Sequence, residues 1–395
     1  MRTVGVPALM AALGLPVAVE AAESPDRTSP LLLEAAYTGE VWRNVSGGVR
    51  RDETYLDNID VIATFDAERA WGWTGTRFLV SGLYNNRPTL SDRIVGDIQT
   101  VSNIDTDGAT RLYEAWLERA FESGAIKLGL IDLNSEVDVN ETGALFINSS
   151  HGIGPDFSQI GENGPSIFPV TGLGTVMRWD ANERVQVRVA AFEGTVGDPT
   201  HPRRTTVDLE NDEGALLVGE ITMLPTEASR AVIGVWRHTG RSADFSDDDV
   251  LHRSESIGVY ALTEGTFLER GEHSLSGFLR IGVADADVHQ ISRYIGAGIV
   301  WSGPLLAAAE REEHLGLALA TITNGHPFLR TQAAQGAIHE RHETAIELTY
   351  RVQQRSWLAL QPDLQYIINP GTDSSLANAW VVGLRFELSW SNEPG

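Results

Sequence analysis

Residues 380–390, WVVGLRFELSW, alternate apolar and polar side chains along most of their length. An extended strand points successive side chains to opposite sides, so this alternation sorts the two kinds onto separate faces. One face carries Val382, Leu384, Phe386, Leu388 and Trp390, and the other carries Arg385, Glu387 and Ser389. A helix would set Arg385 and Glu387 on opposite sides and split the apolar stripe. The stretch therefore predicts a strand with one apolar face and one charged face.

The same period of two recurs along the chain and predicts sixteen strands. They cover residues 32–43, 57–66, 74–86, 110–121, 124–132, 174–180, 184–193, 214–224, 228–239, 253–264, 272–284, 290–301, 312–323, 341–353, 356–368 and 377–390. Most have the length of about 9–11 residues, or slightly more, that a tilted strand needs to cross a bilayer. Strands of soluble sandwiches are shorter, about 5–6 residues.

The predicted connections alternate between long and short. Long, polar segments rich in Asp, Asn, Gly or Pro cover residues 44–56, 87–109, 133–173, 194–213, 240–252, 324–340 and 369–376, and most of the intervening turns are short. Residues 285–289 are the exception, being short where a long connection is due. This alternation is typical of a membrane barrel with long loops on one side and tight turns on the other. The sequence thus predicts an all-β fold: a 16-stranded antiparallel transmembrane up-and-down β-barrel.

Composition and the N-terminal segment indicate the cellular compartment of the protein and limit its possible partners. Residues 1–21 carry an early Arg2, an apolar run and a small-residue site near Val19–Ala21, which predict a signal peptide, leaving residues 22–395 as a single outer-membrane barrel. The chain of 395 residues has no Cys, which suits an oxidising periplasm. Its net charge of −24 argues against nucleic-acid binding. No motif indicates a cofactor or a metal site, and no catalytic residue is predicted.

The two faces of the predicted strands have different chemistry. One face is almost free of charge, as lipid requires, because Lys or Arg at the bilayer midplane costs about 2–4 kcal/mol. Aromatics predicted for the interfacial belts are Tyr84, Tyr113, Trp301, Tyr366 and Trp390. The opposite face carries Arg77, Glu114, Trp116, Glu118, Arg178, Arg188, Arg280, Glu347, Arg351, Asp363, Arg385 and Glu387. We interpret these charges as facing a water-filled lumen rather than a dry core.

The connection at 133–173 is too long to be without a function. Its stretch LFINSSHGIGPDFSQIGENGPSIFP, residues 145–169, has no periodicity and is rich in residues that favour tight turns. We predict that the loop folds inward and constricts the lumen. The alternative is a loop on the outer surface.

Several segments together resemble the OprB family of carbohydrate-selective porins. They are FINSSHGIGPDFSQIGENGPSIFP, AAYTGEVWRNVSGG, RLYEAWLERAF, QPDLQYIINPGTD and NAWVVGLRFELSW. The resemblance covers essentially the whole mature chain. It implies a sixteen-stranded barrel with an eyelet of charged and aromatic side chains that admits monosaccharides such as glucose. His151 stands where this resemblance leads us to expect an aromatic side chain.

The candidate eyelet residues combine hydrogen-bonding groups with an aromatic ring. A sugar offers hydroxyls at its edge and C–H groups on its faces, which suit polar side chains and Trp respectively. Glu114, Trp116 and Glu118 alternate onto one side of the fourth predicted strand. The full candidate set is Glu114, Trp116, Glu118, Asp132, Glu136, Asn148, His151, Asp156 and Arg178.

The predicted function is passive, selective diffusion of monosaccharides across the bacterial outer membrane. The predicted partners are those sugars, outer-membrane lipid and lipopolysaccharide, and further copies of the chain in a homo-oligomer. A porin for small anions is the first alternative, since the lumen contains arginines. An outer-membrane enzyme or a soluble sugar-binding β-protein is the second.

Overall fold

The computed structural model describes residues 29–86, 90–161, 163–198, 201, 204–206, 214–245, 253–305 and 311–392. Within them the strands are β1 (Leu31–Ser46), β2 (Glu53–Asp66), β3 (Thr76–Asn85), β4 (Thr110–Phe121), β5 (Gly124–Ile131), β6 (Gly172–Asn182), β7 (Val185–Glu193), β8 (Ala215–Thr226), β9 (Ser229–Ala243), β10 (Arg253–Arg270), β11 (His273–Ala284), β12 (Ile291–Ser302), β13 (Glu313–Asn324), β14 (His342–Arg355), β15 (Leu358–Ile368) and β16 (Ala379–Ser391). Each strand is antiparallel to its sequence neighbours, and β1 also pairs with β16. The sheet is therefore a closed barrel, as predicted.

The largest change in strand boundaries is at β10, which continues to Arg270 where the sequence predicted an end near residue 264. Arg270 pairs directly with His273 on β11, so the connection shrinks to two residues. Gly271 has φ +64°, a conformation that a glycine adopts without strain. The predicted loop is thus mostly a hairpin that extends the two strands.

The alternation that defined the last strand separates outer from inner side chains. On β16, Leu384 is 44% exposed, whereas its neighbour Arg385 is 4% exposed. Val382 and Leu388 share the outer face with Leu384, and Val381 and Glu387 share the buried inner face. An apolar outer face suits contact with lipid, and a closed sheet leaves no backbone edge unpaired there.

Exposed aromatics mark the barrel end that carries the short connections. They are Trp71, Trp73, Phe121, Trp179, Phe267, Trp357 and Trp390. Trp390 was predicted for such a belt, and Tyr84 is also exposed, near the opposite end of β3. Tyr113 was wrongly assigned to a belt. The pairing of β3 with β4 shifts register beside it, and its hydroxyl donates to Asp132 Oδ2 at 2.6 Å inside the barrel.

Short helices occur only in connections of the described chain. They are α1 (Ala67–Trp71), α2 (Pro155–Ser158) and α3 (His326–Ala334), with single turns at Ser91–Val95, Leu133–Ser135, Gly143–Leu145, Ser149–His151 and Pro370–Thr372. Asp66 caps α1 by accepting from the amide of Arg69. Among the described residues, no helix has both the length and the apolar character needed to span a membrane.

Among the described residues, the barrel interior contains three apolar clusters, the smallest of which is formed by Ile291, Tyr294, Ala320 and Ile322. Of the two larger clusters, the first includes Phe157, Trp236 and Tyr260, and the second includes Trp42 and Ile367. The prediction that the charged inner face meets only water was therefore wrong for part of the lumen. Inner side chains including Arg280, Glu347, Asp363, Arg385 and Glu387 are buried. Loops that enter the barrel displace water from them, so these charges need partners.

Candidate functional site

Among the described residues, two long segments extend into the lumen: residues 90–109, which we call loop A, and residues 132–171, which we call loop B. Loop B follows β5 and contacts inner side chains from β8 to β15. On that wall it hydrogen-bonds to Glu220, Arg230, Glu264, Arg280, Tyr294, Glu347 and Gln365. The alternative of an outer surface loop is excluded by these contacts.

Arg280 on β11 holds loop B at two separated points. Its Nη2 donates to Asp138 Oδ2 at 2.6 Å, and its Nη1 donates to Asp156 Oδ1 at 2.5 Å. The guanidinium also lies over the rings of Tyr260 and Tyr294, at 5.5 and 5.0 Å from their centroids. Carboxylates that lie in the plane of a guanidinium accept its N–H groups in strong, charge-assisted hydrogen bonds. Arg280 therefore fastens the outgoing and returning halves of the loop to one strand.

Inner carboxylates accept hydrogen bonds from loop B amides. Glu220 accepts from the amide of Asp138 at 2.7 Å, and Glu264 accepts from that of Thr142 at 2.7 Å. Glu347 takes two, from Ile147 at 2.6 Å and from Asn148 at 3.0 Å. A loop without regular structure leaves its amides unpaired, and buried amides require acceptors. The wall supplies these acceptors.

Loop A also lies inside the barrel, a position that was not predicted from the sequence. The amides of Ile98 and Gln99 donate to Glu343 on β14. Ser102 Oγ donates to Glu40 at 2.7 Å, and Asn103 accepts from Arg385. Apolar side chains of the loop complete the second interior cluster: Leu90, Ile94, Val95, Val101 and Ile104. These apolar residues in a segment described as polar were the available sequence signal.

A cavity of about 260 Å³ lies between the two loops. Its lining combines amide and hydroxyl side chains, such as Asn58, Gln99, Asn103, Asn134, Ser149 and Gln159, with apolar surfaces that include Phe146 and Phe168. Neither Lys nor Arg is among the described residues that line it, and its charged groups are Asp105 and Asp132. Ligand sites are typically about 300–1,000 Å³. This volume therefore suits a small ligand.

Burial modifies both carboxyl groups of the cavity. It raises the pKa of Asp132 to about 6 and that of Asp105 to about 7. Asp132 is held by Tyr113 and also accepts from the amide of Asn134 at 2.8 Å. Because the charged forms are disfavoured, the cavity carries less negative charge near neutral pH than its composition indicates.

Five candidate eyelet residues gather around Lys127 on β5. They are Glu114, Trp116, Glu118, Asp132 and Glu136. Lys127 forms an ion pair with Glu136, lies 4.0 Å from Glu118, and sits 4.1 Å from the ring centroid of Trp116. Glu114 accepts from the amide of Asp132 at 3.1 Å. The grouping was predicted, but the Trp116 ring is buried beneath Lys127.

Asn148, Asp156 and Arg178 are three further candidates. Asn148 is buried against β15, where its amide donates to Gln365 at 3.1 Å, and Asp156 is occupied by Arg280. Arg178 lies near the short-connection end of the barrel, 3.5 Å from Asp180. Asn148 lines the same cavity as Asp132, whereas Asp156 and Arg178 are not among the described residues that line it.

His151 is buried among aromatic rings. Its ring centroid lies 5.0 Å from that of Phe146 and 6.0 Å from that of Phe278. Burial lowers the pKa of His151 to about 3, so the imidazole is neutral at physiological pH. His151 therefore packs as an uncharged ring against Phe146 and Phe278.

The anchoring residues Asp138, Glu220, Glu264, Glu343 and Gln365 were not predicted as functional. Alternation places the four strand residues on inner faces, so their orientation was available from the sequence. The groups that they bind could not be predicted from the sequence, because these groups are backbone amides and carbonyls of the two loops.

A closed sixteen-stranded barrel, apolar outside and entered by long loops, defines an outer-membrane porin. The chain belongs to the OprB family of carbohydrate-selective porins, whose profile matches residues 50–390. Porin B of Pseudomonas aeruginosa is 25% identical over 446 aligned positions, covering 98% of this chain and 97% of that protein.

The solved structures show the same fold. The high-pH structure of Pseudomonas putida OprB superposes with a TM-score of 0.78 at 21% identity, covering 91% of this chain and 94% of that one. Its low-pH structure gives a TM-score of 0.56 at 16% identity, covering 91% and 92%. The protein is therefore a carbohydrate-selective porin of the bacterial outer membrane.

Proposed function

We propose that this porin passes monosaccharides such as glucose by passive diffusion, without catalysis, and that loop B sets the pore width. The observation that carries this proposal is the cavity between loops A and B, whose lining combines uncharged polar side chains with apolar surfaces. Amides and hydroxyls can exchange hydrogen bonds with sugar hydroxyls in either direction. The ring of Phe168 offers an apolar surface for a sugar face.

The charges of the loop-bearing wall support a preference for neutral solutes. Arg280 is bound by two aspartates, Arg385 by Glu40, and Arg230 by Glu264. A guanidinium that is already paired and buried has little attraction left for a passing anion. Contacts with the sugar must nevertheless remain weak, because a transported solute has to leave the site again.

Arg178 and Arg188 give a specific reason to keep the anion porin as a second candidate. They stand directly opposite each other on β6 and β7, and their side chains are 37% and 20% exposed. Two neighbouring cations near the barrel end would raise the local concentration of small anions.

Planar-bilayer conductance with competing solutes tests the two candidates. We expect glucose to block the ion current in a concentration-dependent way and phosphate at the same concentration to leave it unchanged. Block by phosphate alone would favour the anion porin. A liposome-swelling series with sugars of rising size would then locate the exclusion limit, which we expect just above monosaccharides.

The Lys127 group is our proposed sugar-contacting part of the wall, through the partly exposed Glu118 and Glu136. Replacing both by Gln should weaken glucose block while the barrel still folds. Unchanged block would remove these residues from the sugar path.

Export, the surrounding lipid and assembly remain proposals. Residues 1–21 lie outside the described residues, and we propose that they are removed as a signal peptide; mass spectrometry of the mature chain would locate the new N-terminus. We also propose that the barrel contacts lipopolysaccharide and that it assembles into a homo-oligomer. Light scattering in detergent, corrected for bound lipid, measures both the number of chains and the lipid retained.

A further inference from the structure

The outer faces of three neighbouring strands change from apolar to polar at the barrel end that carries the long connections. The last apolar side chains before that end are Ile295 on β12, Leu319 on β13 and Ile346 on β14. The outer side chains beyond them are Arg293, Thr321, Thr323, His342 and Thr344. We call them the outer polar patch. Such a change marks the level at which the acyl chains of the membrane give way to lipid headgroups.

Strand pairing makes the outer polar patch continuous. Arg293 pairs directly with Thr323, and Thr323 pairs directly with His342. Thr321 likewise stands opposite Thr344, and the hydroxyl oxygens of these two residues lie 2.9 Å apart. The hydroxyl oxygen of Thr323 lies 3.1 Å from Nδ1 of His342. Three strands at a spacing of about 4.8 Å make the patch about 10 Å wide, so one lipid headgroup can contact all three strands.

Arg293 is an exposed cation without a partner among the described residues: its side chain has neither an ion pair nor a hydrogen bond there. Arg237 is the contrasting case. It also lies on the outer face towards the end with the long connections, on β9, but it forms an ion pair with Glu255. The N–H groups of Arg293 are therefore available to an acceptor outside the chain.

The connection between β13 and β14, residues 325–341, adds positive charge at the same end of the barrel. It contains two arginines, Arg330 and Arg341, against one acidic residue, Glu340, so its formal charge is +1. Loop B, by contrast, contains six acidic residues and no Lys or Arg, and the whole chain has a net charge of −24. A locally positive end on an acidic protein favours an anionic partner there.

We infer that the outer polar patch binds a phosphate group of lipopolysaccharide, with Arg293 as its main contact. The inference rests on the proposed lipopolysaccharide contact and specifies where on the barrel it occurs. A guanidinium donates two parallel N–H groups to phosphate oxygens. The threonine hydroxyls and the imidazole of His342 supply hydrogen bonds to the remaining oxygens of the headgroup. The exposed side chains of Ile295 and Leu319 lie next to the patch and contact the acyl chains of the same lipid.

The test measures binding of lipid A, the phosphorylated anchor of lipopolysaccharide, to the porin in detergent micelles by microscale thermophoresis. Diphosphorylated lipid A, dephosphorylated lipid A and inorganic phosphate are the three probes. We expect the diphosphorylated form to bind most tightly and Arg293→Ala to weaken its binding roughly ten-fold or more, because a hydrogen bond to a charged group is lost. Arg293→Lys keeps the charge without the paired N–H groups, so its affinity should lie between the two.

Arg237→Ala is the matched control. It removes the same side chain from the same face of the barrel, but Glu255 already neutralises that arginine. Its affinity for lipid A should equal that of the unaltered porin. Heat-modifiable migration on a gel shows whether each barrel is folded, and Arg293→Lys replaces the alanine variant if that one does not fold. Block of the ion current by glucose should be unchanged in every variant, since Arg237 and Arg293 lie outside the lumen.

The outcomes separate the inference from the proposal it rests on. Equal binding of lipid A to the unaltered porin and to the folded Arg293 variant would overturn the patch as the binding site and leave the lipopolysaccharide contact standing. Absence of binding to the unaltered porin would overturn that contact itself. Displacement of lipid A by an equal concentration of inorganic phosphate would overturn the assignment to a lipid in favour of a free anion. Weaker binding in Arg293→Ala alone, with Arg237→Ala unchanged, would support the inference.

Discussion

Arginine side chains have different surroundings on the two sides of the lumen. On the β8–β16 side, the side chain of Arg280 is 1% exposed and is enclosed by Asp138 and Asp156. On the β3–β7 side, the side chain of Arg178 is 37% exposed and lies 3.5 Å from Asp180. The first arginine fastens a loop, and the second faces water.

This difference shows that the role of a charged inner side chain depends on whether a loop covers it. The β8–β16 side presents carboxylates to loop amides, and the loops then exclude water from that side. Glu118 and Arg188, on the other side, keep partly exposed side chains. Charged side chains on one side of the lumen therefore remain partly open to water, while those on the other side hold the loops.

The largest expected effect is on the packed side, from Arg280→Met. This change leaves Asp138 and Asp156 buried without their cation, and breaking a buried pair in this way costs about 3–5 kcal/mol. Urea unfolding in vesicles, followed by tryptophan fluorescence, should show that loss. Conductance should rise as loop B is released. A variant with unchanged stability would mean that loop B is held mainly by its amide contacts.

An intermediate effect is expected from pH acting on loop A. Burial raises the pKa of Asp105 to about 7, with added repulsion from Asp97, Asp92 and Glu40, whereas an unfolded aspartate titrates near 3.9. The folded state thus binds the proton more tightly. The contribution of Asp105 to the free energy of unfolding is therefore largest below about pH 4 and is lost as pH rises to about 7.

Asp105→Asn tests this pH dependence. Since one pKa unit corresponds to about 1.4 kcal/mol, the change between pH 4 and pH 8 is on the order of 2–4 kcal/mol. The substitution should remove that part of the difference in unfolding free energy between the two pH values. Asp57→Asn, in an outer-facing carboxyl of β2, serves as the comparison. An identical pH profile in the Asp105 variant would contradict the assignment.

The smallest effect is expected on the open side, from Arg178→Met. The same substitution as at Arg280 should cost only about 0–1 kcal/mol, because a partly exposed ion pair contributes little to stability. Reversal potentials in a salt gradient should nevertheless show lower anion preference. A stability loss equal to that of Arg280→Met would remove the distinction between the two sides of the lumen.

The fold could be predicted from the sequence because one physical rule governs nearly every strand. Lipid tolerates no unpaired backbone and almost no charge, so period-two alternation, strand length and alternating loop lengths all report the same barrel. The miss at Tyr113 is informative. Register shifts beside it on β4, and a bulge of this kind changes which face a side chain occupies without a change in composition.

The candidate site was predicted only in part. Glu114, Trp116 and Glu118 do share an inner face, and Asp132 and Glu136 do join them. Asp156 proved to be an anchor, since its partner Arg280 is 124 residues away and no local pattern connects the two. Loop A was missed because its apolar residues have no regular spacing.

The sequence by itself determined the closed barrel, its lipid-facing surface and the orientation of its inner charges, since these follow from alternation that each strand carries locally. Only the tertiary structure decided which of those charges meet water and which bind a loop. That choice depends on contacts such as Glu343 with Ile98 and Glu347 with Ile147, between residues about 200 or more positions apart. Such contacts depend on where an irregular backbone places its amides, which side-chain periodicity does not encode.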